Sequence, residues 1–320
     1  MFSSFQNRWW IAVASCSGLV VTSGTVIVFA FSVFLKPVTE ELGIARSLLA
    51  SGVLAAYLVC GVATPFMGAL ADRWGSRSVL LPGIALFALS VASFSLLQAS
   101  EYLLLSLFAL AGLFGAAQNT VPYAKVVSKW FDRDRGMALG IATAGVGLGV
   151  AIVPAFSRFL ISTHGWRVAY VGLGAIIILF AFIPVLLLVR EPAPGELPDS
   201  DDHASAGLPG LTATAVLTGE WRFWAITAGY FLSVIATNGT LANVVAILTD
   251  RGAPSGRAVA TLSAAGLAMI IGRLSCGWCL DRFRGPYVAI CFQIIPALGL
   301  TLLAYGGTSN SALAGAAQRA

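Results

Sequence analysis

The chain has 320 residues, a formal net charge of +5, 10% charged residues and 58% apolar ones. Soluble domains carry roughly a quarter charged residues, so this composition excludes the soluble classes. The mean hydropathy of +0.87 agrees. Apolar runs of about 20 residues recur, the length an α-helix needs to cross a ~30 Å hydrocarbon core. These runs do not alternate, which excludes a β-barrel, the other backbone that satisfies its polar groups in lipid. The fold class is therefore an all-α membrane protein, with membrane lipid as a partner. A net positive charge could suggest nucleic acid, but its distribution here is topological, and no nucleic-acid partner is expected.

Nine spans are predicted. The first, 10–35, carries Thr22, Ser23 and Thr25. The second and third, 48–69 and 79–97, flank a short charged loop. The fourth, 102–124, contains Gln118, Asn119 and Thr120. The fifth, 137–160, is glycine-rich, and Gly136-x-x-x-Gly140 and Gly145-x-x-x-Gly149 present small faces for close packing. The sixth covers 167–189. Residues 190–222 then hold Pro192, Pro194, Pro198 and an acidic run at Asp199, Asp201 and Asp202, which reads as a solvated linker. The last three spans are 223–248, with Asn238 and Asn243, 259–280, and 287–305, with Gln293. The expected division is a six-helix half over 1–189, a cytoplasmic linker over 190–222 and a partial second half over 223–320.

Lys and Arg placement sets the orientation. With the N-terminus in the cytoplasm, cytoplasmic segments hold 11 cations, among them Arg8, Arg73, Arg77 and Lys125. The opposite side holds 7, among them Lys36, Arg46 and Arg158. A multi-pass protein of the cell inner (plasma) membrane with a cytoplasmic N-terminus is expected.

One short pattern occurs twice. Gly68-Ala69-Leu70-Ala71-Asp72-Arg73-Trp74-Gly75-Ser76-Arg77 follows the second span, and Gly277-Trp278-Cys279-Leu280-Asp281-Arg282-Phe283-Arg284-Gly285 follows the eighth. Each has a glycine four residues before an Asp-Arg pair, then an aromatic, a glycine and another arginine. The offset, 281 − 72 = 209, fits a six-helix unit duplicated in parallel, a transporter architecture.

These residues resemble the major facilitator superfamily, whose most specific signature is the Gly-x-x-x-Asp-Arg-x-Gly-Arg-Arg-like loop between the second and third spans. Three further stretches resemble its bacterial oxalate–formate antiporter and monocarboxylate-transporter-like group. They are Phe31-Ser32-Val33-Phe34-Leu35-Lys36-Pro37 with Glu40-Glu41-Leu42-Gly43, Trp130-Phe131 with Arg135-Gly136-Met137-Ala138-Leu139-Gly140, and Gly272-Arg273. The Asp-Gly-Gly-Trp-Gly-Trp start typical of animal monocarboxylate transporters is absent. The resemblance implies a helical bundle with a complete six-helix N-terminal half and three helices of the C-terminal half. It implies secondary active transport of small organic anions, of monocarboxylate or dicarboxylate type, by alternating access. It also implies a conformational gate at Gly68, Asp72, Arg73, Gly75 and Arg77, echoed at Asp281 and Arg282. In that gate the aspartate caps and pairs with neighbouring helices and the arginines anchor the loop. Gly68 and Gly75 are expected to permit close helix approach and a tight turn. A turn with topogenic charge is the alternative, which explains the arginines but not the Gly/Asp spacing.

Arg273 is the only charged side chain placed inside a span, away from its ends. A central arginine costs about 2.5–3.5 kcal/mol on the translocon scale, so such residues usually face a cavity. It lies eight residues before Asp281, or ~12 Å at 1.5 Å per residue. In the resembled group an arginine here binds the substrate carboxylate, a role suited to a permanently charged, bidentate donor. An arginine that snorkels or braces the gate is the alternative. The resemblance also places substrate between the halves, which makes Asn119 and Asn238 candidate lining residues; interhelical hydrogen bonding is the alternative for each. Met269 stands where monocarboxylate transporters carry an aspartate four residues before the arginine, and no Asp or Glu lies within any span. Without that carboxylate relay, anion exchange and facilitated transport stay open beside proton symport.

The five cysteines fall in apolar segments, and Cys276-x-x-Cys279 has no second pair or histidine cluster beside it, so no metal site is expected. No nucleotide, zinc-protease or Ser/His/Asp pattern occurs; catalytic residues, cofactor and enzyme activity are not expected. The superfamily has twelve spans, and the residues after Ala304 read as too short and weak for a tenth. A truncated, inactive carrier and a shortened one completed by oligomerisation are both expectations, and the oligomeric state is open. The competing function is a non-transporting membrane sensor or assembly protein on the same scaffold.

Overall fold

In lipid each segment must satisfy its own backbone polar groups, and the described segments do so as helices. The computed structural model describes residues 8–131, 134–190, 221–250 and 255–317, with side chains at all of these but 32, 222, 241–250, 255–263 and 303–317. The first span lies on α1 (Trp9–Val20), a π-helical stretch (Gly24–Phe29) and the start of α2 (Phe31–Leu42), which continues beyond it. The second and third are α3 (Arg46–Trp74) and α4 (Ser76–Ser93). The fourth is split into α5 (Glu101–Gly115) and α6 (Thr120–Trp130). Helix α7 (Arg135–Ile177) holds the fifth span and opens the sixth, which ends in α8 (Ile183–Leu188). Then come α9 (Trp221–Asp250), α10 (Ser255–Leu280) and α11 (Gly285–Ala317). The nine predicted spans lie on these helices. Helix α11 runs past the expected end at 305 through Gly306, Gly307, Thr308, Ser309 and Asn310, so helix propensity does not explain its length.

Among the described residues, six helical stretches are long and apolar enough to cross a membrane. One of them, Arg135–Leu188, has 54 residues and holds two spans. Gly165 (φ 83°, ψ 167°) turns the chain within it, a conformation that costs glycine nothing sterically. A Cβ added at Gly172 would meet Leu160, although the two residues would stand ~18 Å apart in a straight helix. The first span breaks after Val20. There Thr25 Oγ1 donates to the carbonyls of Val20 and Thr22, both at 2.8 Å, and so supplies a donor to Val20 at the end of α1.

Helices α1–α8 and the Gly266–Leu280 part of α10 form one contact unit. Its core includes the fully buried Leu19, Phe34, Leu80, Phe87, Tyr123 and Leu173. Lipid is as apolar as leucine, so helices associate by close contact rather than by hydrophobic exclusion. Glycine supplies that contact: a Cβ at Gly145 would strike the Cys16 carbonyl, and one at Gly149 the Val20 carbonyl. Both carbonyls belong to α1. Outward, α3 exposes Leu54, Leu58, Val62 and Phe66 at 59–68%, as a lipid-facing surface does. At the end of α2, Glu41 accepts from Trp166 Nε1 and from the Arg167 guanidinium. The Arg167 bond first, and that of Trp166 next, hold its carboxyl below the usual carboxylate range.

The second unit contains α9, the start of α10 and α11. Ser233 Oγ of α9 donates to Gln293 Oε1 of α11 at 2.8 Å. The expected linker lies outside the described residues apart from its ends, as does the side chain of Asn243.

The glycine contacts can be weighed against helix propensity. Ala is favoured over Gly by about 1 kcal/mol in a helix, whereas overpacking costs about 1–3 kcal/mol. Gly145→Ala should therefore lower the thermal unfolding midpoint of the purified chain in detergent. Gly61→Ala, where the added Cβ meets nothing within 4 Å, should leave it unchanged or raise it. Equal midpoints for the two would remove the packing argument.

Candidate functional site

The two copies of the Gly-x-x-x-Asp-Arg pattern have different partners. In the first, Lys125 of α6 donates from Nζ to the Gly68 carbonyl at 2.9 Å and to Asp72 Oδ1 at 2.7 Å. Gly68 and Asp72 are one helical turn apart on α3, so one ammonium reaches both. The side chains of Lys125 and Asp72 are 31% and 71% exposed, so the pair contributes about 1 kcal/mol or less. Gly75 has φ 86° and ψ 147° and turns α3 into α4, as its expected role in a tight turn requires. Among the described residues nothing crowds Gly68, where an added Cβ would find Lys125 Nζ at an ordinary 3.8 Å. Arg77 donates to the Leu186 carbonyl at 2.8 Å, tying the start of α4 to the end of α8. Arg73 is exposed.

In the second copy Asp281 caps a helix. Its Oδ1 accepts from the Gly136 backbone N–H at 2.6 Å and its Oδ2 from that of Met137 at 2.7 Å. These are the first amides of α7, which lack partners within their own helix. The residue in the ordinary capping position, Asp134, makes no cap bond and accepts instead from Arg8 at 3.2 Å. A carboxylate at a helix N-terminus also meets the positive end of the helix dipole. The approach is close because neither helix has a side chain at the crossing. A Cβ at Gly277 would strike the Gly136 carbonyl, and one at Gly136 would strike the Gly277 carbonyl and the Asp281 carboxylate. Arg282 lies over the Trp278 ring, 4.2 Å from its centroid.

Arg273, two turns earlier on α10, is half-buried. A Cβ added at Gly140 of α7 would stand 2.9 Å from the Arg273 carbonyl. The Arg273 guanidinium donates through one nitrogen to the Thr143 carbonyl of α7. Its planar fork is thereby oriented against α7 inside a span. Met269, one turn back, is half-buried.

The two asparagines are placed differently. Half-buried Asn119 is the N-cap of α6, and its Oδ1 accepts from the Thr120 N–H at 2.7 Å. Asn238 lies in the second unit, exposed, with Nδ2 donating to the Val234 carbonyl one turn back at 3.0 Å. The buried polar network of the fourth span is next door to Asn119. Gln118 Nε2 donates to the Gly18 carbonyl at 3.0 Å, and the Tyr123 hydroxyl donates to Gln118 Oε1 at 2.9 Å. Sequence reasoning counted Lys125 as topological charge only. Nothing in a single sequence pairs it with an aspartate 53 residues away.

If Asp281 holds the start of α7, Asp281→Ala should expose the amides of Gly136 and Met137 to exchange. Hydrogen bonds to charged groups contribute about 1.5–3 kcal/mol each, so exchange at these amides should accelerate at least about tenfold. Hydrogen–deuterium exchange on the first turn of α7 reads this directly. Unchanged protection there would mean that the cap is not holding the helix.

The sequence profile described as Major Facilitator Superfamily matches residues 13–317. Monocarboxylate transporter 11 of Homo sapiens is 29% identical over 245 residues, covering 74% of this chain and 50% of that protein. Monocarboxylate transporter 13 of Bos taurus is 28% identical over 247 residues, covering 76% and 54%. The oxalate:formate antiporter of Oxalobacter formigenes is 30% identical over 186 residues, covering 55% and 42%. The chain thus spans about half the length of the curated relatives it matches. Among solved structures, a proton:xylose symporter bound to 6-bromo-6-deoxy-D-glucose superposes with a TM-score of 0.62 at 17% identity, covering 88% of this chain and 70% of that one. A bacterial homologue of the human lysosomal transporter Spinster gives 0.55 at 18% identity, covering 89% and 63%. At such identities the likeness concerns the fold alone, and it agrees with the all-helical architecture. The profile match covers nearly the whole chain, and this all-α membrane protein belongs to the Major Facilitator Superfamily.

Proposed function

We propose that the chain carries small organic anions of the monocarboxylate or dicarboxylate type across the membrane by alternating access, with Arg273 receiving the carboxylate. The observation that carries this reading is a guanidinium set inside a span and oriented on the Thr143 carbonyl. A permanent charge at that depth is costly, and a bound carboxylate offsets the cost with charge-assisted, bidentate hydrogen bonds. The matched relatives support the same chemistry, since monocarboxylate, oxalate and formate are all carboxylates. No span of this chain carries an Asp or Glu for a proton relay. The bound anion then compensates the arginine charge during translocation in exchange, facilitated transport or symport alike. In this reading Asn119 and Asn238 line the path, residues 1–189 and 223–320 act as the two halves, and 190–222 joins them. Asp72, Arg73, Arg77, Asp281 and Arg282 set the cytoplasmic gate, with the N-terminus in the cytoplasm at the plasma membrane.

Proteoliposomes holding the purified chain should take up radiolabelled lactate or oxalate. Arg273→Gln should reduce that uptake at least about tenfold, the loss of one charge-assisted bond, without changing gel-filtration behaviour. Unchanged uptake by a folded Arg273→Gln protein would sink the assignment.

The gate has its own measurement. Asp72→Ala removes the partner of Lys125 and should shift the balance between facing states. Cysteine probes placed on the two membrane faces would then react at altered relative rates, and identical reactivity would count against a gate.

A further inference from the structure

On the side opposite the duplicated pattern, α2 and the Arg158–Ser162 part of α7 line a cleft of about 500 Å³ that is largely open to its surroundings. Val33, Pro37 and Ile161 give it apolar walls, while Lys36, Arg158 and Glu40 bring charge to it. Two cations thus face one carboxylate. Lys36 Nζ stands 3.8 Å from Glu40 Oε1, beyond hydrogen-bond length, with side chains 73% and 64% exposed. Such a pair is held weakly and exchanges readily for another anion. The neighbouring cation on this side, Arg167, is already taken by Glu41. Topology does not explain Lys36 and Arg158, since the positive-inside rule concentrates cations on the other face. Anionic lipid is likewise concentrated at the cytoplasmic surface, which argues for a solute rather than a headgroup here.

We propose that this cleft is a docking site for short-chain monocarboxylates, which it holds before they reach Arg273. Lys36 supplies a point charge, Arg158 a planar fork for the carboxylate, and Val33, Pro37 and Ile161 a surface for the alkyl chain. Glu40 opposes binding by competing for Lys36. The inference rests on the organic-anion reading above.

A docking site that raises the local anion concentration at the entrance lowers KM and leaves the maximal rate alone, because saturating substrate fills Arg273 with or without it. In phosphatidylcholine proteoliposomes at low salt, the double variant Lys36→Gln/Arg158→Gln should raise the KM for lactate about tenfold, with a maximal rate within about twofold of the parent. Glu40→Gln should move KM the other way. Raising the salt to about 0.5 M should shrink all these differences, as screening requires. Equal KM values across the variants, or a fall in maximal rate alone, would overturn the site. So would a double variant that loses co-purified phosphatidylglycerol while KM stays fixed, because the cleft would then hold a lipid headgroup. Equilibrium dialysis of lactate against the detergent-solubilised chain separates this proposal from the transport reading. If the parent binds lactate, the double variant does not and neither moves it, the cleft stands and transport falls. If Arg273→Gln abolishes uptake but the cleft variants leave KM unchanged, transport stands and the cleft falls. If the parent neither binds nor moves lactate, both fall.

Discussion

The first unit depends on direct backbone contact along α7. Two of its faces carry glycine where a neighbour crosses. Gly145 and Gly149 admit the carbonyls of α1, while Gly136 and Gly140 admit the backbone of α10. In lipid this is what association requires, because dispersion and weak polar contacts decay steeply with distance and no water is expelled between helices. A methyl group at any of these positions would separate the helices, since a carbonyl cannot swing aside as a side chain can. The functional candidates inherit their places from this packing. Arg273 meets Thr143 because Gly140 lets its backbone close, and Asp281 reaches the first amides of α7 because Gly136 and Gly277 cross there.

The same spacing in sequence has produced two different contacts. Asp281 binds backbone amides at a helix N-terminus, a partner fixed by the fold and reinforced by the helix dipole. Asp72 binds the ammonium of Lys125, a partner on a long side chain at an exposed edge. The first contact is the stronger by these principles, even though the first copy matches the family signature more fully. A motif read from sequence specifies the donor or acceptor; the element it meets determines what that group is worth.

Much of this was legible in the chain itself. Nine spans could be read because bilayer thickness imposes a length and an apolar composition that survive any detail of packing. The glycine faces could be read for the same reason, as spacing of the smallest residue is a local property. The breaks inside spans could not. The gap after Val20 is compatible with lipid because Thr25 supplies a donor to the Val20 carbonyl, and that between α5 and α6 because Asn119 caps the new helix. Hydropathy averages over both. A signal for the second was present: Asn119-Thr120-Val121-Pro122 has a capping residue followed by proline in the first turn, the composition of a helix start inside an apolar run. Lys125 and the Thr143 carbonyl were out of reach, since each acts on a residue far along the chain.

A carrier that alternates between two facing states must break some contacts in every cycle and keep others. Populations of the two states stay useful only when they differ by a few kcal/mol. The contacts of α7 with α1 do not suit breaking, because interdigitated backbones are either seated or apart, with no intermediate of low energy. The polar contacts at the helix ends do suit it. An exposed Lys125–Asp72 pair contributes about 1 kcal/mol or less, and the Asp281 cap uses bonds of about 1.5–3 kcal/mol each before water replaces them. Replacement by water is possible there, as Asp72 is largely exposed and Asp281 only half-buried. The division of labour then follows from solvent access. Contacts that water can replace serve as the proposed gate, and contacts it cannot reach hold the body that the gate moves.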